Sequence, residues 1–118
     1  MNVAVLEKVK NHIIEHPELF NMMFFESDGV RCILGWVIEL GECPPELKVQ
    51  FEVGGPIRQA SYILGVSVDD CVKLGYTHGW PDSFYSAYYN VDGLTETMQR
   101  LRARIVAERI DHFIKTGE

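Results

Sequence analysis

Between Val30 and Leu40 the chain carries Val30, Cys32, Ile33, Leu34, Trp36, Val37, Ile38 and Leu40, with only Arg31 and Glu39 charged. A segment that is apolar nearly all round reads as a buried helix, because none of its faces gains from contact with water. Such a helix has to be wrapped by other elements, and this requirement governs the rest of the fold. Asp28 offers it an N-cap and Gly41 a C′ residue. Gly35, without a side chain, lets a neighbour come close.

The flanking sequence supplies amphipathic stretches of the kind needed. Val5, Leu6, Val9 and Ile13 recur at helical spacing from Val3 to about His16, where Pro17 disfavours helical geometry. Ile57 to Leu64 reads as a helix closed by Gly65. Ser67, with Asp70 three residues on, is a capping box in form and opens a helix from Val68 to about Leu74. A turn around Trp80-Pro81 leads into a Tyr-rich helix from Ser83 to Asn90. Glu42 to Pro56 reads as a connection, with room for a short helix over Glu46 to Val53. Leu19 to Phe25 suits a strand or a pressed-down loop equally, and Ser27-Asp28-Gly29 marks a turn. The prediction is an all-α fold: one domain over 1–118, a compact bundle of about five to six helices around the central helix 30–40.

The last helix, Leu94 to Lys115 with Gly117 behind it, has a fault in its pattern. Leu94, Met98, Leu101 and Ile105 share one face, whereas Val106, Ile110, Phe113 and Ile114 point elsewhere at 100° per residue. The sequence reading gives the first stripe to the core. The second is then left for a partner, most simply a second copy across a two-fold axis, unless the helix breaks near 103–107.

Composition narrows the function classes. The hydrophobic fraction of 47% and charged fraction of 24% are those of an ordinary globular protein. No apolar run approaches the roughly 20 residues of a membrane span. The N-terminus reads as a helix start and not as an export signal, which predicts a cytoplasmic protein. Three widely spaced cysteines without a C-x-x-C pair predict neither a disulfide framework nor a structural zinc site. The net charge of −6 is wrong for a phosphate backbone, and it lies forward: residues 1–56 hold nine acids and four bases, residues 94–118 four and five.

Some residues invite sharper readings. Cys32, in the first turn of a helix, with His78 and Asp82 or Asn90 following, has the Cys, His, Asp/Asn order of papain-like hydrolases. Its apolar neighbours point instead to a small buried hydrophobe. Residues 57–75 have the outline of a helix-turn-helix, but Asp69 and Asp70 would bring the wrong sign to DNA. His12 and His16 stand i, i+4, a spacing zinc sites use, and equally suit a helix C-terminus. The aromatic group Trp80, Phe84, Tyr85, Tyr88 and Tyr89 fits a binding surface.

The run Gly29-Val30-Arg31-Cys32-Ile33-Leu34-Gly35-Trp36, the Ala60–Gly65 segment, the Trp80-Pro81 turn and the tail Arg109 to Gly117 resemble small bacterial and phage-borne proteins of the domain-of-unknown-function type. Those proteins have a Cys-x-Leu-Gly helix early and a helical remainder. The resemblance spans most of the chain and implies a helical fold and no particular activity. Ile33 departs from it, standing where a smaller residue belongs.

The reading that absorbs most of these features is a protein-binding or self-associating module. It needs no cofactor and no metal, and has neither a nucleic acid nor a membrane as partner. Its binding residues would be Trp80, Phe84, Tyr85, Tyr88, Tyr89, Ile110, Phe113 and Ile114. The competing classes are a cysteine hydrolase using Cys32, His78 and Asp82, and a DNA-binding regulator.

Overall fold

The structure is a computed structural model that describes residues 1–45 and 55–118; the short helix expected over Glu46–Val53 lies outside these. The described residues form six α-helices and no strands: α1 Val3–Glu15, α2 Ile33–Leu40, α3 Pro56–Leu64, α4 Val68–Gly75, α5 Asp82–Tyr89 and α6 Glu96–Thr116. Single 3-10 turns sit at Pro17–Leu19 and Thr77–Gly79. The chain is an all-α bundle. No helix among the described residues is long and apolar enough to cross a membrane.

α2 is the buried centre that its sequence requires. Ile33 and Val37 are inaccessible, Leu34 and Trp36 nearly so. It is packed by α1, α3 and α4, while α6 packs against α1 and also contacts α4 and α5. A Cβ on Gly35 would collide with the Phe25 carbonyl, and one on Gly75 with Leu34, so both glycines set close approaches to the centre.

The start of α2 differs from expectation. Cys32, not Asp28, is its N-cap, and Gly41 caps its end in an extended conformation instead of a left-handed one. Asp28 and Gly29 instead form the two-residue tip of a hairpin, with φ of 52° and 83°. Ser27 and Val30 exchange both backbone hydrogen bonds at 2.9 Å. Positive φ at both central residues is the primed turn that Asp-Gly favours, and it stops the helix from reaching back to Asp28. The preceding segment is an irregular loop with isolated bridges Phe20–Arg31 and Ser27–Val30.

Local signals elsewhere behave as read. Ser67 Oγ accepts from Asp70 N–H at 3.1 Å. Gly65 and Gly117 end α3 and α6 in the left-handed region. Thr95, not Leu94, begins α6, its Oγ1 accepting from Met98 N–H at 3.1 Å.

Candidate functional site

α6 is one unbroken helix, and the two stripes are assigned the other way round from the sequence reading. Val106, Ile110 and Phe113 are inaccessible, and Ile114 is half-buried. Leu94 is 83% exposed, Met98 38% and Leu101 42%, with Ile105 half-buried. The physical reason is the pair of alanines between them. Ala103 and Ala107 are buried on the same face as Ile110, and side chains this small let α1 lie close along the helix. A face judged by bulk alone misses that groove. Ile110 and Phe113 are therefore core residues and cannot dock a partner from within the folded domain.

The aromatic segment divides likewise. Trp80 and Tyr88 are 4% and 2% exposed and belong to the core, which corrects their assignment to a binding surface. Each satisfies its polar tip: the Trp80 indole N–H donates to the Leu74 carbonyl at 2.8 Å, and the Tyr88 hydroxyl accepts from Met22 N–H at 3.2 Å. Burial pushes the Tyr88 phenol above its ordinary range. Phe84 is half-buried. Tyr85 and Tyr89 remain exposed, their rings 4.7 Å apart.

Cys32 is 6% exposed, and its N–H donates to the Phe24 carbonyl at 2.7 Å. Desolvation pushes its thiol pKa up, against the smaller downward pull of the Gly35 and Leu34 N–H groups at the start of α2. The helix terminus thus acts in the direction proposed from sequence, and burial outweighs it. His78 lies on the exposed Thr77–Gly79 turn, stacked 5.6 Å from Tyr76, and Asp82 is exposed at the start of α5. Among the described residues no hydrogen bond or ion pair joins Cys32, His78 and Asp82.

α3 and α4 pack as a hairpin through Gly65, with Asp69 and Asp70 in the first turn of α4. Lys73 on that helix is ion-paired to Asp70 and Glu118, at 3.3 and 3.2 Å. His12 and His16 are stacked at 4.8 Å, but His12 Nε2 is buried against protein, with the Trp36 ring 4.1 Å away. No group of three or more His, Cys, Asp or Glu side chains is placed to hold a metal ion among the described residues.

Two features escaped the sequence reading. Arg109 is inaccessible, boxed by the rings of Trp80, Phe84 and Phe113 with its guanidinium carbon 5.8–6.0 Å from each. Its Nη2 donates to the Lys73 carbonyl at 2.8 Å, while Nε and Nη1 have no hydrogen-bond partner among the described residues. Burial lowers its pKa to about 10, so it stays charged at neutral pH. Arg109 and Trp80 together cap the last carbonyls of α4, where the helix dipole is negative. Arg109 sits at the border of the buried face of α6, a position at which an arginine otherwise reads as surface.

The second is a set of exposed apolar side chains on the loop before α2 and at the start of α6. Met23 is 78% exposed, Phe24 42% and Phe25 40%. These lie on a loop pinned by the Phe24–Cys32 and Met22–Tyr88 hydrogen bonds. A pocket of about 180 Å3 lined by Phe24, Val30, Gly93, Gln99 and Arg102 joins that loop to the first half of α6. Leu94 and Met98 adjoin two of its lining residues in the chain. No family model matches this chain, and neither does any curated protein or solved structure.

Proposed function

We propose that this protein is a protein-interaction module whose docking surface is the Met23–Phe25 loop with the exposed stripe of α6. The observation that carries this reading is the exposure of Met98 and Leu101 on α6, with Leu94 exposed just before the helix begins. Large apolar groups left together in water on rigid supports mark contact sites. The hydrogen-bonded loop adds a preorganised edge, so little ordering entropy is lost on docking. A catalytic role for Cys32 is the weaker reading, since its thiol is buried and its ionisation is disfavoured.

The test is site-specific photo-crosslinking in the expressing cell. A benzophenone amino acid at Met98 or at Phe24 should give the same discrete adduct. One at Lys8, exposed on α1, should give none. Absence of any adduct from both surface positions, or equal labelling from Lys8, rejects the proposal.

A further inference from the structure

We infer that the pocket between the Phe24 loop and α6 binds a carboxylate with a compact apolar body, presented by the C-terminal residue of a partner chain. This rests on the reading of that loop and α6 as a docking surface and adds the chemistry recognised there. Arg102 sets that chemistry. It lines the pocket with Phe20, Phe24, Val30, Gly93 and Gln99. Its Nε donates to the Val91 carbonyl at 2.7 Å, and its guanidinium carbon lies 4.5 Å from the centre of the Tyr88 ring. Tyr88 is itself buried, with its hydroxyl held by Met22 N–H. The guanidinium is thereby fixed, and its Nη groups enter no hydrogen bond or ion pair among the described residues. Gly93 lets it lie there. That residue has a φ of 71°, and a Cβ on it would fall 2.6 Å from Arg102 Nη1. Conformation and space both call for glycine beside the guanidinium.

Charge and size define the ligand. With Nε occupied, the two Nη groups remain as a fork that matches the two oxygens of a carboxylate. The pocket volume of about 180 Å3 is close to the ~150 Å3 of an apolar cavity that takes up benzene. Phe20, Phe24 and Val30 give it apolar walls, so a branched or aromatic side chain fills it. Glu18 also borders the pocket, but its ion-pair contact is with His16 Nδ1, at 3.7 Å, and not with Arg102. A carboxylate at the border disfavours a ligand with two negative charges and leaves room for one. A free chain end carries its carboxylate and its last side chain on the same carbon, so one residue reaches both Arg102 and the apolar walls. An internal Asp or Glu brings the charge without the apolar body.

The experiment is two-dimensional NMR of the purified full chain, following backbone amides and arginine Nε–H signals. The probes are acetyl-Gly-Phe with a free carboxylate, the same peptide as its C-terminal amide, and benzoate. The free acid should shift Arg102, Gly93 and Phe24 saturably, and the amide should bind about tenfold more weakly or worse, for want of the charged partner. Arg102→Lys keeps the charge without the fork and should bring the acid down toward the amide. Circular dichroism checks its fold. Phe24→Ala, at an exposed position, is the second variant and should weaken both peptides. Equal binding of acid and amide overturns the inference, as does the absence of a saturable shift at about 10 mM, beyond the weak end of useful affinities. Benzoate binding as tightly as the peptide acid would assign the pocket to a free small acid and overturn the partner chain as its source. If Arg102→Lys leaves the Phe24 adduct in cells unchanged, the carboxylate inference falls and the docking surface stands; absence of adducts in the wild type ends both.

Discussion

At the residue scale, Arg109 and His12 show how burial decides what a polar group does. Arg109 forms no ion pair among the described residues, and Glu118 acts on it only from a distance. Its charge is met by three aromatic faces and by the negative end of α4, interactions that operate without a salt bridge. Arg109→Ala should cost about 2–5 kcal/mol, as it opens a cavity and leaves the buried Lys73 carbonyl unpaired. Arg109→Met fills most of the space and removes the desolvated charge, so it should stay within about 1.5 kcal/mol of wild type. Chemical denaturation of both variants measures the difference. Equal losses would show that the charge itself, and not the packing, is what the site uses. His12 is half-buried beside Trp36, whose other neighbour is the Arg31 guanidinium 5.0 Å from the ring centre. Desolvation lowers its pKa from 6.5, with His16 and Arg31 acting the same way and Glu15 and Glu18 opposing. A depressed folded-state pKa means that the neutral ring is the one the fold favours. Its contribution is fully present above the unfolded value of 6.5 and is lost as pH falls through the folded value. Stability should therefore decline between about pH 7 and 5, and His12→Gln should flatten that slope. An unchanged slope in the variant would assign the decline to carboxylates.

At the element scale, what was legible in the sequence was what a helix decides for itself. The capping residues Ser67 and Asp70, the left-handed Gly65 and Gly117, and the all-apolar α2 depend on neighbours within a turn or on hydrophobicity with no direction to choose. The orientation of α6 depends on which other helix lies against it, and there the bulky stripe misleads. Ala103 and Ala107 carry little hydrophobic weight, yet they define the face that α1 occupies. The exposure of Met98 and Leu101 was illegible for the same cause: they are seen to face water only once the alanine face is seen to be the core. The start of α2 was misplaced because the Asp28-Gly29 turn competes locally for the same residues. The two stripes give a direct comparison. Ile110→Ala should cost about 2–5 kcal/mol. In a domain of this size that lowers Tm by about 10 °C or more. Leu101→Ala should stay within about 1 kcal/mol for the monomer. Thermal melts of the two variants at low protein concentration check this, and the reverse order would restore the sequence-based assignment of the stripes.

At the scale of the whole molecule, two copies that met through the exposed residues of α6 would each bring a net charge of −6. The stripe itself lies in the balanced part of the chain, and the acidic excess sits in residues 1–56. Repulsion between copies is therefore long-ranged, while the contact is apolar and short-ranged, and salt acts on the two differently. With a radius of gyration of 13.6 Å, the centres of two touching copies lie about two radii apart. Coulomb's law in water then gives roughly 5 kcal/mol of unscreened repulsion. Screening reduces this to about 2 kcal/mol at 0.01 M salt and to under about 0.5 kcal/mol at 0.1 M, where the Debye length is near 10 Å. Raising salt from about 0.01 to 0.15 M should therefore tighten any such self-association by about tenfold or more. Further salt should change little. This is opposite to the behaviour of a protein that binds nucleic acid, whose affinity falls steeply over the same range as counterions are released. Sedimentation equilibrium across a salt series reads the sign directly. A dimer that weakens as salt rises would show that charge pairs, and not the apolar stripe, hold the copies together.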